Sequence, residues 1–301
     1  MRHARISLLA SVAIALAASL AESQAPSVLT TPASTRALGV GDAYAALAAD
    51  PDAIFYNPAQ LLPARGLGVA AQRYGDASTV LTASAASVLA PGTMGLGIQL
   101  LDHATTAGSY GELVRRGRAS LFARGPRLAT GGVASVGYAR SVSRVRIGAA
   151  SKVVYQEFGD ERDVTLAFDV GITGGSSYPI ALVGRNLGHG LAIGGPTHSL
   201  PREVVLGGAM PRREVGPLDL AVTASIAMRA NGTLHGGGGT EWSYNPLDGF
   251  TFAARVGYRA VEGAESHLTL GAGFVGERFN LDYAYGGTDG DATHRLGVRW
   301  R

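Results

Sequence analysis

Seven histidines, no cysteine and a thin scatter of acidic residues are what this chain has for building a catalytic or metal site. His3, His103, His189, His198, His235, His267 and His294 are dispersed. They lack the HExxH pairing or any other ligand spacing, so no metal is expected. Without cysteine, thiol catalysis, disulfides and Cys-ligated zinc or iron–sulfur centres are excluded. Ser266, His267 and Asp282 are the residue types of a hydrolase triad, but nothing local marks Ser266 as a nucleophile and no oxyanion-hole motif is evident. A non-enzymatic protein is therefore expected, with an outer-membrane enzyme, a barrel-embedded hydrolase, as the minor alternative. Asp289, Gly290 and Asp291 could hold calcium, yet Asp-Gly is first of all a turn pair. The pairs Gly39/Gly41, Gly66/Gly68 and Gly95/Gly97 lack the third glycine and following helix of a dinucleotide loop, so no cofactor is expected. Together with the glycine run 236–239 they read as strand glycines that ease curvature or let another segment approach.

The elements that would carry these residues follow from composition and periodicity. Hydrophobic residues make up 46% of the chain and charged residues only 16%, with 43 glycines, which is too few charges for an ordinary soluble surface. The net charge is +3, and the basic residues, all arginine except Lys152, are scattered, so nucleic acid is not an expected partner. At the start, Arg2, His3 and Arg5 precede an uncharged stretch over 6–20 and the small residues Ser19 and Ala21. This is the pattern of an exported protein's signal peptide over 1–21, with cleavage between 21 and 25.

Downstream, no apolar run is long enough for a membrane helix, but alternation recurs. Val164, Leu166, Phe168, Val170 and Ile172 share one strand face, with Asp163, Thr165, Ala167, Asp169 and Gly171 on the other. The same period of two appears over 218–229, 250–259, 267–274, 278–285 and 295–301. Weaker candidates lie near 66–74, 78–89, 93–102, 116–123, 132–141, 144–157, 178–187, 202–210 and 235–244. Strands of about ten residues are what a tilted membrane strand requires, and turn signals recur at barrel spacing. The second face mixes Gly, Ser, Thr and Ala with isolated charges, as suits a crowded lumen. The expectation is an all-β fold: a transmembrane antiparallel barrel of about 14 strands over 66–301, in the bacterial outer membrane with lipid around it. Tyr74, Tyr138, Tyr155, Tyr258, Tyr285 and Trp300 would supply interfacial girdles. The inward charges Asp163, Asp169, Asp219 and Asp282 would pair across the lumen with Arg146, Lys152, Arg229, Arg255 and Arg259.

The stretch 35–61 is not barrel wall. Asp42 could cap an Ala-rich helix running to Ala49, which Pro51 cannot continue. Asn57 before Pro58 looks like a second cap with proline at the first helical position. Residues 27–63 are accordingly expected to form a short helical plug inside the lumen.

These residues carry a resemblance. Arg36, Ala37, Leu38, Gly39, Val40, Gly41 and Asp42, followed by Asp50 and by Tyr56, Asn57, Pro58 and Ala59, resemble the N-terminal signature of the PorV/PorQ family. That family is similar in turn to the FadL long-chain fatty acid transporters, whose plug carries an Asn-Pro-Ala motif. Arg185-Asn186-Leu187-Gly188, Leu200-Pro201-Arg202-Glu203 and Arg255-Val256-Gly257-Tyr258-Arg259 extend it. The resemblance implies a 14-stranded barrel whose plug holds Arg36, Gly39, Gly41, Asp42, Asp50, Tyr56, Asn57, Pro58 and Ala59. A PorV-like role implies assistance to type IX protein secretion, with secreted proteins or secretion components as partners. A FadL-like role implies passage of hydrophobic small molecules, gated by the plug and released sideways through the wall. The chain departs from the usual aromatic ending of such barrels in that Arg301 follows Trp300.

Overall fold

The computed structural model describes residues 27–47, 49–74, 78–104, 127–175, 177–193, 195, 197–261, 267–288 and 291–300. The expected signal peptide, the candidate strand 116–123, Ser266, Asp289 and Arg301 lie outside them. Fourteen strands close an antiparallel barrel. They are β1 (Gly66–Tyr74), β2 (Ser78–Leu89), β3 (Gly92–Ala104), β4 (Arg127–Val142), β5 (Val145–Phe158), β6 (Glu161–Gly174) and β7 (Ile180–Gly188), then β10 (Glu203–Val215), β11 (Leu218–Arg229), β12 (Leu234–Leu247), β13 (Phe250–Val261), β14 (His267–Val275), β15 (Phe279–Thr288) and β16 (Asp291–Trp300). β16 pairs back onto β1, from Leu67 opposite Trp300 to Tyr74 opposite Thr293. Between β7 and β10 the chain makes a separate hairpin, β8 (Leu191–Ala192) with β9 (Thr197–His198).

The alternation sorts the two faces as the sequence orders them. On β6 the five large apolar residues from Val164 to Ile172 are 44 to 57% exposed, whereas Ala167 and Asp169 between them are fully buried. Exposed leucine, valine, isoleucine and aromatic side chains continue around the other strands, forming an apolar surface far larger than a soluble protein tolerates but natural against lipid. Phe250, Phe252, Phe274 and Phe279 cluster on this outer surface, with ring centroids 5.4 to 6.0 Å apart. They lie at the end where strands are joined by short turns such as 216–217 and 248–249. Trp300 is exposed at that same end, and Tyr258, Tyr283 and Tyr285 are exposed toward the other. The side chain of Tyr74 lies outside the described residues. At the opposite end β3 and β4 are 22 residues apart in sequence and β7 and β10 are joined by the long connection 189–202, and by the asymmetry of bacterial barrels the end with the longer connections faces the exterior.

Residues 28–64 run inside the barrel, their helical turns touching β1 to β6 and β13 to β16 and the stretch between them reaching β10 to β12. This inner segment is less helical than expected. It carries single-turn helices at Ser27–Thr30 and Thr35–Gly39 and 3-10 turns at Pro51–Phe55 and Pro58–Leu61. No helix starts at Asp42. Instead Ser34 caps Thr35–Gly39, and that helix closes with Gly41 in the left-handed region at φ 69°. The Asp42 N–H donates to Ala37 O at 2.8 Å and Gly41 N–H to Leu38 O at 3.2 Å, the two bonds of a Schellman closure. The alanines after it stay non-helical because their carbonyls are engaged elsewhere. Ala43 O accepts from Thr223 Oγ1, Ala45 O from Asn57 Nδ2 and Ala46 O from Gln60 Nε2. Asn57 does cap its turn, its Oδ1 accepting the Ala59 N–H at 3.0 Å.

Candidate functional site

The inner segment is fastened to the wall by a closed ring of charges. Arg36 donates to both carboxylate oxygens of Glu241 on β12, at 2.8 and 2.9 Å. Glu241 also accepts Arg255 Nε from β13 at 2.7 Å, and Arg255 reaches Asp282 on β15 at 2.8 Å. Asp282 pairs with Arg299 on β16, Arg299 with Asp50 of the inner segment, and Asp50 lies 3.9 Å from Arg36. Three guanidiniums and three carboxylates alternate around the ring, so the charge balances where water is excluded, the condition for a buried network to hold. Arg212 adds an exposed fourth guanidinium to Glu241. Nearby, Arg295 is fully buried and donates to Pro32 O, Ala33 O, Gln72, Thr82 and Thr35. Tyr44 donates to Asp50 and Tyr56 to Asp42. Burial, reinforced by the adjacent carboxylate, pushes both phenols well above their ordinary range and keeps them as donors at neutral pH.

Elsewhere the fit is steric. Side chains of the inner segment sit where the wall has glycine. A Cβ on Gly148 would fall 2.4 Å from the Pro58 carbonyl carbon, one on Gly171 2.0 Å from Asn57 Oδ1, and one on Gly97 2.7 Å from the Phe55 ring. Gly95 faces Leu61 in the same way, and Gly237 and Gly239 accept the backbone of Gly41 and Val40. Gly39 packs on Gly271 and Arg255. Asn57 Nδ2 also donates to Thr173 Oγ1 on β6 at 3.0 Å, tying the Asn-Pro-Ala stretch to the wall.

Toward the long-loop end the wall is irregular. The register between β6 and β7 shifts at Asp169, where two β7 residues, Arg185 and Asn186, stand against one. Asn186 takes φ 56° there. Its N–H donates to Asp169 Oδ1 at 2.8 Å, and Lys152 Nζ bonds Asp169 at 2.6 Å and Asn186 Oδ1 at 3.0 Å. A β-bulge of this kind re-aims side chains and is typical of barrel sites that do something. Arg185 pairs with Glu203 on β10, which also meets His235 Nε2 at 3.0 Å. Beside these residues lies a small, partly open cavity of about 40 Å³, bordered by Tyr56, Arg185, Glu203, Arg229, His235 and Arg259. Leu191, Ile193 and Leu200 fold inward next to it and pack with Val28, Val133 and Val154, so the hairpin segment covers this end of the lumen.

Of the charges read from alternation, Lys152 and Asp169 meet at the bulge, and Arg255 and Asp282 in the ring. Arg229 and Arg259 border the cavity, and Arg146 lies on β5 near the short-turn end. Asp163 and Asp219 depart from cross-lumen pairing, since among the described residues neither joins an ion pair. Asp163 accepts backbone N–H groups of Val164 and Ala192, and Asp219 accepts Asn245 Nδ2. His267 and Asp282 do not converge either. Asp282 opposes Gly273 on β14, six residues from His267 and so about 20 Å along the strand. Glu241, Arg295, Arg299 and Tyr44 are site residues that the sequence reading did not single out, and Arg185 and Glu203 entered it only within motifs of the resemblance. Each wall residue among them sits at an inward position of its strand, which was the available signal.

No protein-family model and no curated protein sequence matches the chain. Solved structures do match it in fold. A CymD monoaromatic hydrocarbon channel superposes with a TM-score of 0.57 at 11% identity, over 87% of this chain and 94% of that one. The toluene transporter TodX of P. putida gives 0.53 at 10% identity, over 89% and 96%. A FadL homologue of Pseudomonas aeruginosa gives 0.52 at 12%, over 90% and 98%. The chain thus shares the barrel fold of these solved structures.

Proposed function

We propose that this protein is a channel for small hydrophobic molecules in the bacterial outer membrane, with the inner segment 28–64 as its plug. The observation that carries the reading is the filled lumen. An aqueous pore is unsupported, because ring and plug residues lie across the barrel interior, while a small, partly open space remains beside a bulged wall strand. The signal-peptide pattern over 1–21 supports export, and the apolar outer surface supports residence in lipid. The likeness to hydrocarbon channels favours passage over the secretion role implied by the PorV/PorQ resemblance. The test is uptake of labelled toluene by cells that lack their own hydrocarbon channel, with and without this protein. Faster uptake supports the proposal, and uptake equal to the empty strain refutes it. Copurification with large secretion partners, without faster uptake, would reinstate the secretion reading.

A further inference from the structure

The cavity at the long-loop end carries more positive charge than its own carboxylates answer. Arg229 from β11 and Arg259 from β13 border it together with Arg185 and His235. Glu203 stands opposite Arg229 across β10 and β11 and attracts it, while Arg259 and Arg185 are close enough to repel it. Glu203 is held by Arg185 and by His235, and Asp42 accepts the Tyr56 hydroxyl. Among the described residues, neither Arg229 nor Arg259 forms an ion pair. The Nε atoms of Arg185 and Arg229 are buried without an acceptor. This contrasts with the ring a short way below, where three cations meet three anions. Glu203 and Asp42 are thus shared among three guanidiniums and His235, which leaves donors over, and guanidinium forks match the two oxygens of an oxyanion. Leu29, Phe55, Tyr56 and Val133 border the same small space, whose lining is predominantly polar.

We propose that this cavity is an oxyanion site, taking inorganic phosphate or, through the same chemistry, the carboxylate of a small organic acid. The inference deepens the passage reading, on which it rests for its role in transport, by assigning a charged cargo alongside neutral hydrocarbons. The two can fail separately. Calorimetry on the full chain in detergent, titrated with benzoate or phosphate, is expected to show saturable binding that weakens with added salt. The double variant Arg229→Gln/Arg259→Gln is expected to bind at least tenfold more weakly while keeping the gel shift on boiling that marks a folded barrel. If the double variant does not fold, each single variant is expected to lose several-fold. Benzoate binding more tightly than phosphate assigns the organic acid as occupant, and equal binding assigns the free anion. No saturable heat from either anion, or unchanged affinity in a folded variant, overturns the site. Toluene uptake is read in parallel. Uptake without anion binding defeats the oxyanion site alone, and anion binding without uptake defeats the passage reading alone.

Discussion

Replacing Glu241 by glutamine removes the one carboxylate on which Arg36, Arg255 and Arg212 converge, and it should loosen the plug without dissolving the barrel. Glu241 is 1% exposed, and its partners Arg255 and Arg36 are 2% and 13% exposed, so both stay buried beside an uncharged amide. Breaking a buried pair from one side costs about 3 to 5 kcal/mol. Arg212 is 51% exposed and contributes little, at most about 1 kcal/mol. Since Arg36 belongs to the plug and Arg255 to the wall, the loss falls on their docking. At a tenfold change per 1.4 kcal/mol, the undocked fraction should rise between about a hundred-fold and a few thousand-fold. Hydrogen exchange in detergent reads this directly. Amides of 28–64 should exchange faster in Glu241→Gln, those of β3 to β5 should not change, and Arg212→Gln should resemble the parent. Unchanged protection of 28–64 in Glu241→Gln would refute the idea that the ring holds the plug.

Three further outcomes follow from the same contacts. Gly148→Ala, whose methyl meets Pro58 and Ala59 backbone, should cost about 1 to 3 kcal/mol, whereas Gly174→Ala, with nothing within 4 Å of its Cβ, should be near neutral; thermal loss of the unboiled gel band ranks the two. Asn57→Ala gives up a cap and two donated bonds, to Ala45 O and Thr173, and should destabilise by about 2 to 3 kcal/mol, measured by denaturant titration in micelles. Leu166→Arg places a charge on the lipid-facing side of β6 and should cost about 2 to 4 kcal/mol for folding into vesicles; no penalty there would argue that this surface does not meet lipid.

The wall was legible because its signal is local and repeats. Val164 to Ile172 declares two faces within a few residues, and the closed barrel only needs many such strands in succession. β12 was harder, because Gly236 to Gly239 erase the contrast between faces and hide Glu241, which turns out to centre the ring. The plug shows where local reading fails. Asp42 has the chemistry of an N-cap, but Gly41 beside it supplies the left-handed residue that ends the preceding helix, and the wall and neighbouring side chains then take the alanine carbonyls that a helix would use. Glu241 with Arg36 is separated by 205 residues, and Arg295 with Ala33 by 262, so no spacing rule reaches either pair. The bulge was equally silent in sequence. Arg185 and Asn186 read as one inward and one outward position until the register shift turns both toward the lumen.

The central claim, passage of small hydrophobic molecules past a plug, is best tested by locking that plug. The chain has no cysteine, and Ala45 Cβ lies 2.9 Å from the Cβ position of Gly207 on β10, a little closer than a disulfide spans. In cells carrying the Ala45→Cys/Gly207→Cys variant, toluene uptake should match the parent when the pair is reduced and fall to the empty-strain level when it is oxidised. Uptake that ignores oxidation in a verified crosslinked protein, or that never exceeds the empty strain, would contradict the account.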